Sequence, residues 1–457
     1  MKQAHLKLSQ ILFALLAVFV MDSCRKHDVL KENKQDHNRN AEQGHLKQTK
    51  TFSSDVAVRW LNVQLKMLQV PLAPGATSQA ADRCNVYCGV ALYEAVMPGM
   101  PAYRSLGGQL IDLPAMPQTR PGFAYHWAAS ANAALAAMNR SLFPGASPAN
   151  QAAINDLENE LQAQYAGEVD DATMQRSIEF GRSIAQAVFA WASTDGTATI
   201  PAPSTYIIPM GDGLWEKTPP NFGGPVNPFP DMRRLIVAGS LEGSTPEPPP
   251  AYSTNPNSAF YAMVKDVYDR SFVLTPEQKA AAFYHRDAPG YPGGGTVVAI
   301  LSQVIQKAGC TLDVTAVAYA KVGIAIADAG TQCFRVKYKV NLVRPITYIQ
   351  KVMLHPEWTA QFPTPGHPEF PSAHGSVGGA LSTILTDVLG DNFSFTLNHY
   401  DYLNFPARSY KSFNDLAQEM GDSRVFGGIH YQASCDKGLI LGKKVAANVL
   451  GLVKFLK

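Results

Sequence analysis

The sequence predicts an all-α protein made of two packed helical bundles joined by a long Pro/Gly-rich excursion. Apolar residues recur at helical spacing along most of the chain, whereas the alternation typical of strands is scarce. The 457 residues are 46% hydrophobic, which is enough to bury large cores. The formal net charge is only +2, and no nucleic-acid-binding motif is present. We therefore expect no nucleic-acid partner.

The first 24 residues have the organisation of an export signal. Lys2 and Lys7 precede an unbroken apolar run, Ile11 to Met21, that is too short to span a bilayer. Cys24 follows, in an order that resembles a bacterial lipoprotein signal. A plain secretory signal or an uncleaved anchor is the alternative. We expect an exported protein that is tethered through a lipid on Cys24, on the periplasmic or cell-surface side of a membrane.

The remaining chain divides by composition. Residues 25–52 are polar and nearly free of large apolar side chains, which predicts a disordered tether. Residues 53–258 form an N-terminal helical region that includes the excursion, and residues 259–457 form a C-terminal helical region. The excursion, residues 200–254, is crowded with Pro and Gly; a loop of that length is usually functional or covering, so we expect it to help roof a pocket.

Helices are predicted from apolar periodicity and from Pro and Gly boundaries. In the N-terminal region Ser53-Ser54 precede the first, and the others are Ala81–Met97, Ala124–Leu142, Pro148–Tyr165 and Met174–Ala192. In the C-terminal region Thr275 caps one helix, and the others are Thr296–Ala308, Leu312–Val340, Ala380–Leu389, Asp415–Val425 and Lys437–Leu456. Cys84 and Cys88 lie one helical turn apart and are expected to be buried thiols.

The segment KYKVNLVRP supplies two cations, which form the first part of a predicted anion site. Lys337 precedes Arg344 by seven residues, close to two helical turns, so both side chains are expected on one face. Pro345 should end that helix. Taken alone, each cation is equally compatible with a solvated surface.

The segment PSAHGS supplies a second part of the site. If a helix begins near His374, the first N–H groups have no intrahelical acceptors and the helix dipole favours an anion there. Small side chains at Ala373, Gly375 and Ser376 allow close approach, and Ser372 adds a hydroxyl. His374 can exchange a proton near neutral pH. A capping Ser in a helix-packing turn is the alternative.

The segment SRVFGGIHYQ supplies the third part. Arg424 and His430 are six residues apart, and Gly427-Gly428 can break the helix and turn His430 back toward Arg424. A structural His in an ordinary connection is the alternative. Together the three segments suit a tetrahedral oxyanion, held by forked and point-charge donors, with a His nitrogen to attack or ligate its central atom.

These three segments match, in order and internal spacing, the signature motifs of the type 2 phosphatidic acid phosphatase and vanadium haloperoxidase superfamily. Upstream, VAVRWLNVQLKML, ADRCNVYCGVALYEAVMPG, GLWEKTPPNF and LTPEQKAAAFY resemble the haloperoxidase branch. The resemblance extends over roughly residues 55–457 and is firmest from residue 320 onward.

The resemblance implies a vanadate cofactor, in a pocket that phosphate can also occupy. The groups that would hold its equatorial oxygens are Lys337, Arg344, Ser372, Arg424 and the backbone N–H of Ala373. His430 would be the axial ligand of the vanadium, or the phosphorylated nucleophile of a phosphatase. His374 would be the acid–base group beside the apical oxygen.

Four further positions bear on this resemblance. Ala373 replaces the usual Gly but keeps the N–H. The acid often found four residues after the ligand His is Ser434 here, with Asp436 two further on, which predicts weak orientation of His430 and disfavours a His nucleophile. His367 occupies the position of a His in algal bromoperoxidases and of an aromatic residue in fungal chloroperoxidase-like enzymes; a solvent-facing loop His is the alternative. Asp328 either supports a cation or lies on a helix surface.

The function expected first is a vanadate-dependent haloperoxidase that oxidises iodide or bromide with hydrogen peroxide, with His374, His430 and His367 as its catalytic histidines. An acid phosphatase that hydrolyses phosphomonoesters in the same pocket is the alternative. A surface lipoprotein that binds phosphate or a glycan without turnover ranks third, because the motif set is intact.

Overall fold

The computed structural model describes residues 47–69 and 78–457. The predicted signal, Cys24 and most of the predicted tether lie outside the described residues. The described part contains 13 α-helices and one two-stranded sheet and is 58% helical, which confirms the all-α prediction. No helix in this part is long and apolar enough to cross a bilayer.

Five helices form the N-terminal region: α1 (Asp55–Leu68), α2 (Ser78–Val96), α3 (Trp127–Leu142), α4 (Pro148–Tyr165) and α5 (Asp171–Ala192). Their starts follow local capping chemistry. Ser147 and Asp170, which precede α4 and α5, each accept a hydrogen bond from a backbone N–H of the first turn. The α5 cap explains why that helix begins three residues earlier than the predicted Met174.

Eight helices and the small sheet form the C-terminal region: α6 (Ala259–Val273), α7 (Pro276–Tyr284), α8 (Gly294–Ala308), α9 (Leu312–Val340), α10 (Pro345–Lys351), α11 (Ala373–Leu389), β1 (Phe395–Leu397), β2 (Arg408–Tyr410), α12 (Phe413–Phe426) and α13 (Gln432–Leu452). The strands are antiparallel, with Thr396 opposite Ser409. Thr275 caps α7 in a reciprocal capping box with Gln278.

The two predicted helical regions share one continuous apolar core. The long helix α9 packs directly against α2, and both helices approach closely because glycines face the contact. A Cβ on Gly323 would lie 2.2 Å from the backbone oxygen of Asn85, and one on Gly89 would lie 2.7 Å from that of Tyr319. Helix α9 therefore runs through the middle of the fold and carries the first site motif at its end.

The Pro/Gly-rich excursion is mostly irregular and is fastened to α9 through Asp328. This carboxylate is 1% exposed and accepts hydrogen bonds from Ile236 N (2.7 Å), Val237 N (3.0 Å) and Ser240 Oγ (2.7 Å). Both sequence expectations for Asp328, support of a cation and a place on a helix surface, are therefore wrong.

Two boundary predictions need correction. The predicted tether included residues 47–52, but Thr49 is fully buried and the Phe52 ring packs edge-on against His126. Apolar periodicity predicts an end of α9 at Val340, whereas Pro345 predicts an end at Arg344. The helix ends at Val340, because Asn341 takes a left-handed conformation (φ 52°) and caps it. Lys337 and Arg344 are therefore brought together by a turn and not by a shared helix face.

The cysteines of the described residues are all free thiols. The Sγ atoms of Cys84 and Cys88 are 3.7 Å apart on α2 and buried. This is the arrangement expected for packed thiols one turn apart.

Candidate active site

The second and third sequence motifs line one cavity of about 350 Å³, and Arg344 of the first motif lies directly behind two histidines of its wall. Its wall includes Phe334, His367, Ala373, His374, Arg424 and His430 from the C-terminal region. Residues of α2 and of the excursion, among them Arg83, Phe229 and Arg233, form another part of the wall. Lys337, Arg344 and Ser372 are fully buried. Arg344 contacts two of the histidines in the wall, so these three residues belong to the layer behind it.

Lys337 and Arg344 are held by backbone oxygens of the loop before α11. The Lys337 ammonium donates to Pro368 O (2.9 Å) and Glu369 O (3.0 Å) from the last turn of α9. Arg344 Nε donates to His367 O (2.9 Å), and its Nη1 donates to the backbone oxygen of the residue before His430 (2.7 Å). The first motif is thereby fixed to the other two.

Arg424 is the third buried cation and comes from the end of α12. Its Nη1 donates to His285 O (2.6 Å), and its side chain lies over the Phe362 ring. Its Nε has no hydrogen-bond partner among the described residues. A buried donor without an acceptor costs free energy, which an oxyanion could recover.

These cations lack matching anions at contact distance. Among the described residues, no carboxylate lies within 4.0 Å of the charged nitrogens of Lys337, Arg344 or Arg424. Burial lowers the pKa of Lys337 to about 7 and that of Arg344 to about 10. Buried charges are normally paired. Glu369 and Asp287 act on these cations only from beyond contact distance. A bound oxyanion would add a closer negative charge and favour the ammonium form of Lys337, so the residues present fit vanadate or phosphate.

The second motif occupies the first turn of α11. Ser372 is the N-cap and accepts a hydrogen bond from Gly375 N (3.3 Å), while the amide of Ala373 belongs to the turn whose N–H groups lack intrahelical acceptors. Helix α11 packs tightly on α13 because both carry glycines: a Cβ on Gly379 would lie 2.2 Å from Leu439 O. This contact fixes the N-terminus of α11 beside the third motif.

His430 is turned into the site by the two glycines that precede it. Helix α12 ends at Phe426 with Gly427 as its C-cap, and Gly428 adopts a positive φ of 76°, which is the reversal expected from the sequence. Ile429 N then bonds Arg424 O (3.1 Å). The His430 Nε2 atom lies 3.2 Å from Arg344 Nη1, so the nitrogen that would ligate or attack faces the cations.

The carboxylate in contact with His430 is that of Glu369. Its Oε1 lies 2.8 Å from His430 Nδ1, and Ser434 Oγ donates to its Oε2 at 2.6 Å. The expectation of a weak orienter at Ser434 or Asp436 is therefore wrong. Asp436 bonds the Gln432 side chain at the surface instead. Because Glu369 accepts at Nδ1, the ring proton lies there and Nε2 keeps its lone pair; burial and the nearby cations Arg344 and Lys337 hold the pKa of His430 well below its usual value.

His374 lines the cavity and pairs with Asp287. The His374 Nε2 atom is 3.4 Å from Asp287 Oδ1. Burial and the charge of Arg424 lower the pKa of His374, whereas Asp287 acts to raise it. Burial alone would raise the pKa of Asp287, but His374 and Arg424 hold it below its usual value. A neutral imidazole beside an ionised carboxylate can accept a proton and pass it on.

His367 lies inside the site rather than facing solvent. It is 8% exposed, its Nδ1 lies 3.0 Å from Arg344 Nη2, and its ring meets Phe334 edge-on with centroids 5.3 Å apart. Burial and the charges of Lys337 and Arg344 keep its pKa well below the usual value. His367 therefore holds Arg344 and contributes to the cavity wall as a neutral ring.

Sequence reasoning missed Glu369, Asp287 and Phe334. Glu369 is the one acid of PEFPSAHGS, and Asp287 ends the stretch LTPEQKAAAFYHRD, but neither has a spacing that predicts a partner. Their distances in sequence from the histidines that they contact, 61 and 87 residues, explain the failure. Only the fold brings these pairs together.

Comparison with known proteins agrees with the geometry. A family model described as the VCPO second helical-bundle domain matches residues 317–456. No curated protein matches the chain. Among solved structures, the chain is similar to the first bacterial vanadium-dependent iodoperoxidase, with 29% identity, a TM-score of 0.78, and coverage of 89% of this chain and 98% of that one.

Two further solved structures share the fold. The apo form of a bacterial vanadium-dependent chloroperoxidase has 16% identity and a TM-score of 0.63, over 84% of this chain and 95% of that one. The holo form of a bacterial vanadium-dependent chloroperoxidase has 16% identity and a TM-score of 0.64, over 85% and 93%.

Proposed function

We propose that the chain is a vanadium-dependent haloperoxidase of the type 2 phosphatidic acid phosphatase superfamily, and that it uses vanadate and hydrogen peroxide to oxidise iodide or bromide. The observation that carries the proposal is the set of three buried cations, Lys337, Arg344 and Arg424, none of which has a carboxylate within 4.0 Å among the described residues. They lie beside Nε2 of His430, which accepts from Arg344 Nη1 at 3.2 Å. Such a set binds a compact oxyanion and offers its central atom one axial nitrogen.

Each side chain of the site has its own role in the proposed reaction. Bound vanadate supplies a Lewis acid that polarises the O–O bond of peroxide. Lys337, Arg344 and Arg424 would hold the oxyanion and offset its negative charge, and His430 Nε2 would be its nitrogen ligand. His374 takes a proton from the incoming peroxide and returns it to the departing oxygen, while Asp287 holds its ring. Halide, peroxide and one proton thus give hypohalous acid and water.

The proposal for iodide and bromide, with chloride a poor substrate, follows from His367. In the resembling bromoperoxidases a His occupies this position, and in the chloroperoxidase-like enzymes an aromatic residue does. The neighbouring Phe334 supplies an apolar wall, which favours large, weakly hydrated anions. Chloride is the hardest of the three halides to oxidise. The similarity to a bacterial iodoperoxidase, at 29% identity, supports iodide as one of the substrates.

The test is a halide panel on purified protein, with and without added orthovanadate. We expect vanadate to switch on iodide and bromide oxidation and to leave chloride oxidation slow, and His430→Ala to abolish all of it. The matched control is His355→Ala, a histidine that stacks on Tyr268 outside the site. Absence of halide oxidation in vanadate-loaded protein would reject the proposal.

Phosphatase activity is the second candidate, and the Glu369 contact favours it. A carboxylate on Nδ1 leaves Nε2 of His430 free to attack phosphorus, with His374 protonating the leaving group. The same panel therefore includes a phosphomonoester. Phosphate release that vanadate inhibits, together with no halide oxidation, would make the phosphatase the correct assignment.

We also propose export and anchoring through a lipid on Cys24, supported by the signal-like order of the first 24 residues. Replacing Cys24 by Ala should abolish lipid labelling and release the protein from membranes. Unchanged membrane attachment in that variant would instead indicate an uncleaved anchor.

A further inference from the structure

We propose that Glu369 is the positioning residue that sets the orientation and tautomer of His430, in place of an acid four residues after that histidine. The inference rests on the proposed function for the role of His430 as ligand. It assigns to the loop before α11 a task that the family often gives to α13. The hydroxyl of Ser434, at the usual position of the acid, becomes a donor to the relocated carboxylate.

Both oxygens of Glu369 are committed, so the carboxylate has one orientation. Oε1 accepts from His430 Nδ1 (2.8 Å) and from Tyr431 N (3.0 Å), and Oε2 accepts from Ser434 Oγ (2.6 Å). A side chain held at both ends cannot rotate away from the imidazole without breaking several charge-assisted hydrogen bonds. Glu369 is fully buried, so water cannot replace these partners.

The backbone of Glu369 ties the same residue to the first motif. Its N–H donates to Leu342 O (3.0 Å), and its carbonyl oxygen accepts from the Lys337 ammonium (3.0 Å). One residue therefore contacts a cation of the first motif, lies within the second motif's loop and fixes the histidine of the third. Glu369 thus links His430 to Lys337, while Arg344 contacts His430 Nε2 directly.

The Glu369 carboxylate determines which nitrogen of His430 is available as a ligand. A carboxylate at Nδ1 keeps the proton there, exposes the Nε2 lone pair and increases the basicity of the ring as a ligand. The nearby acids do not compete for this task. Asp436 lies at the surface on Gln432, and Asp287 contacts His374 instead.

The experiment compares Glu369→Gln, Ser434→Ala and Asp436→Asn with the wild type. Gln keeps the shape of Glu and an oxygen for His430, but removes the charge. Two quantities are measured: the Kd for orthovanadate, by calorimetry and ⁵¹V NMR, and the tautomer of His430 in vanadate-free protein, by ¹⁵N NMR with histidine labelling. His430→Gln assigns the resonance, and thermal unfolding checks that each variant is folded.

We expect Glu369→Gln to weaken orthovanadate binding by roughly 10–100-fold, the scale for residues that orient a metal-bound histidine. The ¹⁵N spectrum should show mixed tautomers. Ser434→Ala should weaken binding less, and the control Asp436→Asn should leave both quantities unchanged. Adding Ser434→Asp to the Glu369→Gln variant should recover part of the lost affinity, because it returns a carboxylate to α13.

Unchanged affinity and an unchanged tautomer in a folded Glu369→Gln variant would overturn the assignment. So would a loss of affinity in Asp436→Asn as large as that in Glu369→Gln. If the wild type itself fails to bind orthovanadate, the proposed function fails, while the vanadate-free ¹⁵N spectrum still decides whether Glu369 sets the tautomer.

Discussion

His374 Nε2 lies 3.4 Å from Asp287 Oδ1, and the two side chains come from different elements of the C-terminal region. Asp287 follows α7 and His374 lies in the first turn of α11. The pair faces the same cavity as Arg424 and His430. This placement separates proton handling by His374 from ligation by His430.

That separation predicts different effects of the two histidines. His374→Ala should lower kcat for halide oxidation by about a hundredfold or more, the usual scale for a lost acid–base group. The Kd for orthovanadate should change little, because the cations and the axial nitrogen remain. Steady-state rates and calorimetry on the same preparation check both. A parallel loss of vanadate affinity would mean that His374 is a binding group.

Arg424 should contribute strongly to oxyanion binding. Its buried guanidinium has one carbonyl acceptor and an Nε without a partner among the described residues. A charged hydrogen bond is worth about 1.5–3 kcal/mol, so Arg424→Ala should weaken vanadate or phosphate binding about tenfold or more. Arg335→Ala, which removes an arginine paired with Asp231, is the matched control. Equal affinities in the two variants would remove Arg424 from the site.

His367 should influence both halide choice and the placement of Arg344. His367→Phe removes the acceptor at 3.0 Å from Arg344 Nη2 and gives the wall an aromatic ring. We expect weaker orthovanadate binding and a higher ratio of chloride to bromide oxidation, measured at saturating vanadate. A ratio equal to that of the wild type would show that His367 serves Arg344 alone.

His399 should make the fold sensitive to acid. Both of its ring nitrogens lack partners within the described residues, and burial together with His285 lowers its pKa to about 3. In the unfolded chain the His399 imidazole takes up a proton as the pH falls through about 6.5. In the folded state the same imidazole stays neutral until about pH 3. The free energy of unfolding should therefore fall below pH 6.5, by about 1.4 kcal/mol per pH unit for this residue until about pH 3.

Urea denaturation at several pH values from 7 to 4.5 tests this expectation. His399→Phe should flatten the acid slope by about one proton, because Phe suits the ring cluster of Tyr284, Tyr291 and Tyr400 and does not titrate. The remaining slope combines the other histidines whose pKa is lowered, namely His126, His285, His367, His374 and His430, with an opposite contribution from Glu94 and Asp328, whose pKa values burial raises to about 7 and about 6. An unaltered slope in His399→Phe would contradict the prediction.

The helical class and several helix limits could be predicted because they depend on local signals. Pro148–Tyr165 and Leu312–Val340 match the structure, since Ser147 and Asn341 provide recognisable caps. Helix α13 begins at Gln432, not at the predicted Lys437, and ends at Leu452. The first turn of α13 is polar and shows no apolar periodicity, so the sequence pattern does not predict it. In the structure this turn packs under Glu369 and α11.

The motif residues of the site could be named from sequence because they lie within short segments. The contacts between these segments could not be predicted, because they join residues that are far apart in sequence. Glu369 meets His430 through the return of α12 at Gly427 and Gly428. Asp328 appeared to offer a charge to a cation, yet it anchors the excursion at Ile236 to Ser240. Which partner a buried carboxylate takes depends on tertiary packing, because several donors of equal chemistry compete for it.

The carboxylate behind His430 also has a consequence for how such proteins are recognised. A search profile that demands an acid at position 434 would score this chain as degenerate, although its imidazole has a full carboxylate partner. What the chemistry requires is an oxygen at one point in space, and two chain segments can deliver it. A degenerate last motif is therefore weak grounds for dismissing a relative as inactive, until the loop before PSAH has been inspected for a substitute.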